Sequence, residues 1–311
     1  MLLKTLINPK PKIIVYFVVF SVIFLCLPII RNNSLAIGDY LGYSAWLFYI
    51  FSIILVPLHA FGLNNLIYKN NIIKKENLII ATVFILLNTF NIDVVTNLTS
   101  SFLMLFFINY LFESYQKEHP FNEIFCASLI LAIIVFLNPI MIAMYLLVLT
   151  SSLVFNYLNW RSLVISILGF CIPYILCLFY LFITTNELDI TSIISLPSFA
   201  YNEQIVLAIT KEKIISASFL ILILISFFEF FSWLYKKSIR SRKSFFIILM
   251  YFLIALIMLF FGSTNNWYII ISPLSVLIAN YLTYTRNRNL ANILFYILII
   301  SSCYYRCMII F

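Results

Sequence analysis

Apolar residues dominate the chain in runs of 15 to 23 positions, interrupted by short charged or turn-forming stretches, with neither period-two alternation nor a polar helix face. A run of about 20 apolar residues spans a hydrocarbon core of roughly 30 Å as a helix, so each run predicts a membrane helix. Eleven are read, at about 13–30, 44–63, 78–92, 95–112, 124–138, 139–155, 162–183, 213–235, 244–261, 268–283 and 290–309. The fold class expected is all-α, a polytopic transmembrane helical bundle. It forms one integral domain over 1–311, with seven spans in 1–183, a long loop at 184–212 and four further spans in 213–311.

The stretch 124–155 is the decisive one, since it is either one long tilted helix or two short helices meeting at Asn138-Pro139. Proline lacks a backbone donor and disfavours helical geometry in the residue before it, which suits a turn. Charge favours the same answer. With a hairpin there and the N-terminus in the cytoplasm, fifteen of the 19 Lys and Arg residues fall on the cytoplasmic side, and only Arg31, Lys211, Lys213 and Arg306 lie outside. A single crossing leaves ten and nine, without the asymmetry of the positive-inside rule. Eleven spans then put the N-terminus in and the C-terminus out.

Composition agrees: 64% hydrophobic, 10% charged and a mean hydropathy of +1.09 exclude a soluble enzyme, a nucleic-acid binder and a disordered scaffold. The net charge of +8 is topological, not a sign of nucleic acid. The first run lacks a small-residue cleavage site and is expected to stay as a signal anchor. The six cysteines sit in apolar runs without a CxxC pair, so neither metal nor disulfide is expected, and no cofactor is. The partners implied by composition alone are membrane lipids.

No P-loop, HExxH, GxSxG or GxGxxG motif occurs, and His59 and His119 read as structural. Interest falls on the outer side, which holds every aspartate. Asp39 follows the first span; a carboxylate at the lipid boundary is partly desolvated, a setting for a general base, and the alternative is a hydrated loop residue supporting the turn with Gly38. Asp93 and Asn138 close two further outer turns, where local hydrogen bonding also favours Asp and Asn. Glu187 and Asp189 open the 184–212 loop and are candidate substrate contacts. Glu229 is the one acid inside a span, read as a structural partner of cations near its cytoplasmic end. The group Lys236, Lys237, Arg240, Arg242 and Lys243 reads as a stop-transfer signal or a contact for anionic lipid heads.

From Phe61 to Leu147, FGLNNLIYKNNIIKKENLIIATVFILLNTFNIDVV, the span ending INYLFESYQKEHPFNEI, and SLILAIIVFLNPIMIAMYLLVL resemble the membrane module of GT-C-type glycosyltransferases. NWRSLVISILGFCIPYILCLFYLF and NNWYIIISPLSVLIANYL extend the resemblance to a family of multi-pass inner-membrane proteins of Bacteroidetes-type bacteria. The GT-C resemblance implies sugar transfer from a polyprenyl-phosphate donor at the outer face of a bacterial inner membrane. It implies an acid in the first outer loop as base, the position of Asp39. One acid stands there where paired acids are often found, so a degenerate relative, a non-catalytic subunit and a transporter are the alternatives.

Overall fold

The computed structural model describes residues 2–31, 44–88, 95–185, 222–227, 237–261, 267–285 and 287–308. They are helical apart from turns and one isolated bridge between Ile7 and Asn77. In chain order the helices are α1 (Leu2–Leu6), α2 (Pro11–Arg31), α3 (Ser44–Lys69), α4 (Ile79–Leu87), α5 (Val95–Glu113), α6 (Phe121–Leu137), a 3-10 turn (Pro139–Met144), α7 (Tyr145–Phe155), α8 (Trp160–Thr185), α9 (Ile239–Phe261), α10 (Trp267–Tyr284) and α11 (Arg288–Met308). Residues 222–227 are helical as well. The helices fall on the apolar runs because a chain without water to bond its N–H and C=O groups must satisfy them internally.

Two compact units form, each from segments far apart in sequence. The first comprises Met1–Leu98, Gln204–Arg242 and Trp267–Phe311, the second Thr99–Glu203 and Lys243–Asn266.

At the centre of the first unit lies α4, every residue of which is buried, packed by α3, α10 and α11. Nine residues at 1.5 Å each give it only about 14 Å, far less than a hydrocarbon core. It is apolar enough to cross and too short to do so over its described length. Nearly all of α10 is buried too. Polar groups inside this unit bond locally or pair across helices. Thr82, Ser275 and Thr283 each donate to a carbonyl three residues back, and the Ser272 hydroxyl lies 3.2 Å from His59 Nε2.

In the second unit α6 and α8 pack along each other. Gly169 permits the approach: a Cβ there would lie 2.7 Å from the Phe125 carbonyl oxygen and closer still to the Ser128 hydroxyl. Small residues at such contacts let helix backbones close where lipid supplies no hydrophobic drive. Phe136 stacks on Tyr174 at 4.3 Å, and the Tyr145 and Ser166 hydroxyls meet at 2.7 Å.

The chain reverses at Asn138. Its backbone is extended at φ −145°, ending α6, and its carbonyl accepts the Met141 N–H at 3.0 Å to start the 3-10 turn. The reversal is visible at the far end of the pair, where Tyr115, before α6, meets Phe155, the last residue of α7, at 5.0 Å between ring centroids. Ile124 of α6 and Ser152 of α7 line the same small cavity. A single long helix over 124–155 cannot make these contacts, so the two-element reading of this stretch stands.

Among the described residues, four helices are long and apolar enough to cross a membrane: Ile50–Lys69, Trp160–Thr184, Ile239–Phe260 and Trp267–Tyr284. Shorter apolar helices occupy Pro11–Cys26, Phe121–Leu137, Pro139–Phe155 and Arg288–Tyr304. Helix α8 turns most of its side chains outward; Ile175, Leu176, Phe179 and Ile183 are 59–64% exposed. A row of that size and apolarity is tolerated facing lipid and not water.

Candidate functional site

One end of the first unit is assembled from four segments that sequence reading treats as separate charged turns. The N-terminal segment comes first. Leu78 N–H donates to the Leu6 carbonyl and Asn8 N–H to the Glu76 carbonyl, both at 2.9 Å, so residues 6–8 lie along residues 76–78. Asn8 and Asn71 adopt positive φ, a conformation asparagine takes at lower cost than most side chains. The second segment, the α3–α4 turn, is bound to the third by the Ser241 hydroxyl, which donates to the Asn71 carbonyl at 2.7 Å. The fourth is the end of α10. The Tyr284 hydroxyl accepts the Lys74 N–H at 3.1 Å, and the ammonium groups of Lys237 and Lys75 stand 3.7 and 5.5 Å from its ring centroid.

This convergence places Lys4, Lys10 and Lys12 with Lys69, Lys74, Lys75, Lys237 and Arg240 at one end, the grouping that the charge argument requires of a common side. The second unit behaves alike. The turn holding the Lys117–Glu123 ion pair and the turn before Arg161 share an end, joined by Tyr115 on Phe155. Tyr157 in the latter turn is bonded to the Ser151 hydroxyl at 3.0 Å. Burial pushes its phenol up, and the Ser114 and Ser151 contacts partly offset this.

Beside the bridge, a groove of about 590 Å³ opens between the start of α2, the last turns of α3 and the α3–α4 turn. Pro9, Ile14, Leu58, Phe61 and Leu78 give it an apolar side, and Asn64, Asn65, Asn77, Tyr68 and Glu76 a polar one. The Tyr68 hydroxyl donates to Glu76 Oε1 at 3.2 Å. Asn77 is committed: its amide donates to the Lys75 carbonyl, and its Oδ1 accepts from Ile79. Asn64 Oδ1 is buried without a hydrogen-bond partner.

Deeper in this unit, His59 is 2% exposed, with the Phe84 ring tilted against its own at 4.4 Å and Ser272 at its Nε2. Sequence alone places it near a span end as a structural residue. The contacts give it a structural partner 213 residues away, invisible to any local pattern.

Of the outer-side candidates, Asn138 is described. It is buried, and its backbone ends α6 and starts the 3-10 turn, which is the local turn role. Asp39, Asp93, Glu187 and Asp189 lie outside the described residues, as do Glu229 and Lys236. Among the described residues, no three His, Cys, Asp or Glu side chains group as a metal site, and Cys26, Cys126, Cys171 and Cys177 are free thiols.

Buried apolar helices, outward apolar rows and polar groups paired inside the bundle define a helical membrane protein. Over residues 1–311 the chain matches the family of unknown function DUF6427, and it belongs to that family. No curated protein and no solved structure matches it.

Proposed function

We propose that the protein is a multi-pass protein of a bacterial inner membrane, built on a GT-C-like scaffold, that acts at the outer face on a polyprenyl-phosphate-linked sugar. It is either a glycosyltransferase or a reduced relative of one. The observation that carries the reading is the reversal at Asn138-Pro139. It supports the topology in which Asp39, Asp93 and the 184–212 loop share the outer side. It also supplies the hairpin of two shorter helices that follows the basic turn, the outer turn with Asp93 and the second cytoplasmic turn in the order on which the resemblance over Phe61–Leu147 rests. Asp39 is the base in this reading, and Asp93, Asn138, Glu187 and Asp189 contribute to the substrate side.

Asp39→Asn keeps the size of the side chain and removes its charge. At equal protein level, the variant is expected to accumulate the lipid-linked sugar donor and lose the surface glycan made from it. Wild-type levels of both would move the protein to the non-catalytic scaffold reading.

A further inference from the structure

We propose that the groove beside the N-terminal bridge is a headgroup site for an aminophospholipid, with phosphatidylethanolamine as its occupant. The site rests on residues of the first unit and stands independently of the sugar-transfer reading.

The first argument is the sign of its polar groups. Asn64 Oδ1 is a buried acceptor with no partner, and the Glu76 carboxylate, which lines the same groove, accepts one hydrogen bond, from Tyr68. A buried acceptor left unpaired has lost its hydration without a hydrogen bond in return, so a donor entering the groove has something to gain there. Two acceptors, one of them anionic, ask for a cation with several N–H donors, which a primary ammonium supplies. Choline carries none, and a glycerol headgroup carries no positive charge.

The second argument is the surrounding charge. Lys10 and Lys12 follow Pro9 of the groove wall, and Lys74 and Lys75 precede Glu76, so both chain segments that supply this wall also carry cations. An acid among cations complements a zwitterion, with the ammonium on Glu76 and Asn64 and the phosphate toward the lysines. A purely anionic lipid would meet the lysines but face the Glu76 carboxylate.

The third is the shape. Ile14 and Leu58, 38% and 50% exposed, form the apolar wall, and Leu58 belongs to the helix Ile50–Lys69 that is long enough to cross the membrane. Acyl chains can lie along that wall while the head reaches the turn. Tyr68, 42% exposed, takes the aromatic place common at a membrane interface. About 590 Å³ lies within the range of roughly 300–1,000 Å³ of small-molecule sites.

The test uses the full chain in detergent, incubated with equimolar dioleoyl phosphatidylethanolamine, phosphatidylcholine and phosphatidylglycerol and read by native mass spectrometry. Wild type is expected to retain phosphatidylethanolamine over phosphatidylcholine by about tenfold, the effect of one charge-assisted hydrogen bond. Glu76→Gln removes the charge and Asn64→Leu the unpaired acceptor, and each is expected to cut that preference to threefold or less. If Glu76→Gln does not accumulate, Asn64→Leu carries the test, since an apolar side chain of similar volume leaves no orphaned group. Equal retention of the three lipids overturns the proposal. So does a preference for phosphatidylglycerol that ignores both substitutions, because the basic end alone would then be acting.

Discussion

The Tyr284 hydroxyl accepts the backbone N–H of Lys74 at 3.1 Å across 210 residues of sequence, and Lys237 covers the face of the same ring. One side chain thereby joins the α3–α4 turn, the segment before α9 and the end of α10. Such a joint fixes which charged turns lie together, and thus what a reporter of sidedness must find.

Removing the joint should loosen that end of the first unit. Tyr284→Phe keeps the ring for Lys237 and Lys75 and loses one hydrogen bond, an expected cost of about 1 kcal/mol. Tyr284→Ala loses the cation–π contacts as well, worth about 0.5–1 kcal/mol each at exposed sites. Thermal unfolding in detergent should rank wild type, Phe and Ala in that order. Equal midpoints for Phe and Ala would mean that the ring contributes nothing.

The His59–Ser272 pair makes a different forecast, because both partners are buried. Ser272→Ala removes the hydroxyl at the buried His59 Nε2 and should cost about 1–3 kcal/mol, whereas replacing both partners, in His59→Phe with Ser272→Ala, should recover part of that loss. A double-mutant cycle measures the coupling. A double variant no better than the sum of the singles would show that the pair is not a unit.

Gly169 allows α8 to approach α6, and Gly169→Val puts a branched side chain against the Ser128 hydroxyl and the Phe125 carbonyl. The helices must separate, and the cost expected of overpacking is about 1–3 kcal/mol. Ile167→Val, at a 54% exposed position of the same helix, should be close to neutral. Trypsin sensitivity of membrane-embedded protein distinguishes the two.

Topology is tested by fusions. Reporters after Phe121, Arg161 and Lys243 should read cytoplasmic, and one within 190–205 exterior. The reversal at Asn138 makes the result after Arg161 the most informative. An exterior signal there, with a cytoplasmic one after Phe121, would put the two turns joined by Tyr115 and Phe155 on opposite sides, which their 5.0 Å contact forbids.

Within the described residues, the apolar runs of the sequence mark where the long helices form, and the reason is local. Every apolar run must satisfy its backbone internally, and asparagines at Asn71 and Asn156, with Pro139, mark the ends through their own backbone preferences. Charge counts, which need no tertiary information, also grouped the basic turns of the first unit that Tyr284 and Ser241 join. Hydropathy did not reveal that α4 is a short buried helix, because apolarity reads the same in a span as in a core. Nor did it reveal the partner of His59, the bridge from Ile7 to Asn77, or the acceptors that Asn64 and Glu76 bring to one groove. Those depend on which helices pack side by side, and in lipid that choice follows close approach at residues such as Gly169 and hydrogen bonds between residues hundreds of positions apart, neither of which leaves a periodic trace in the chain.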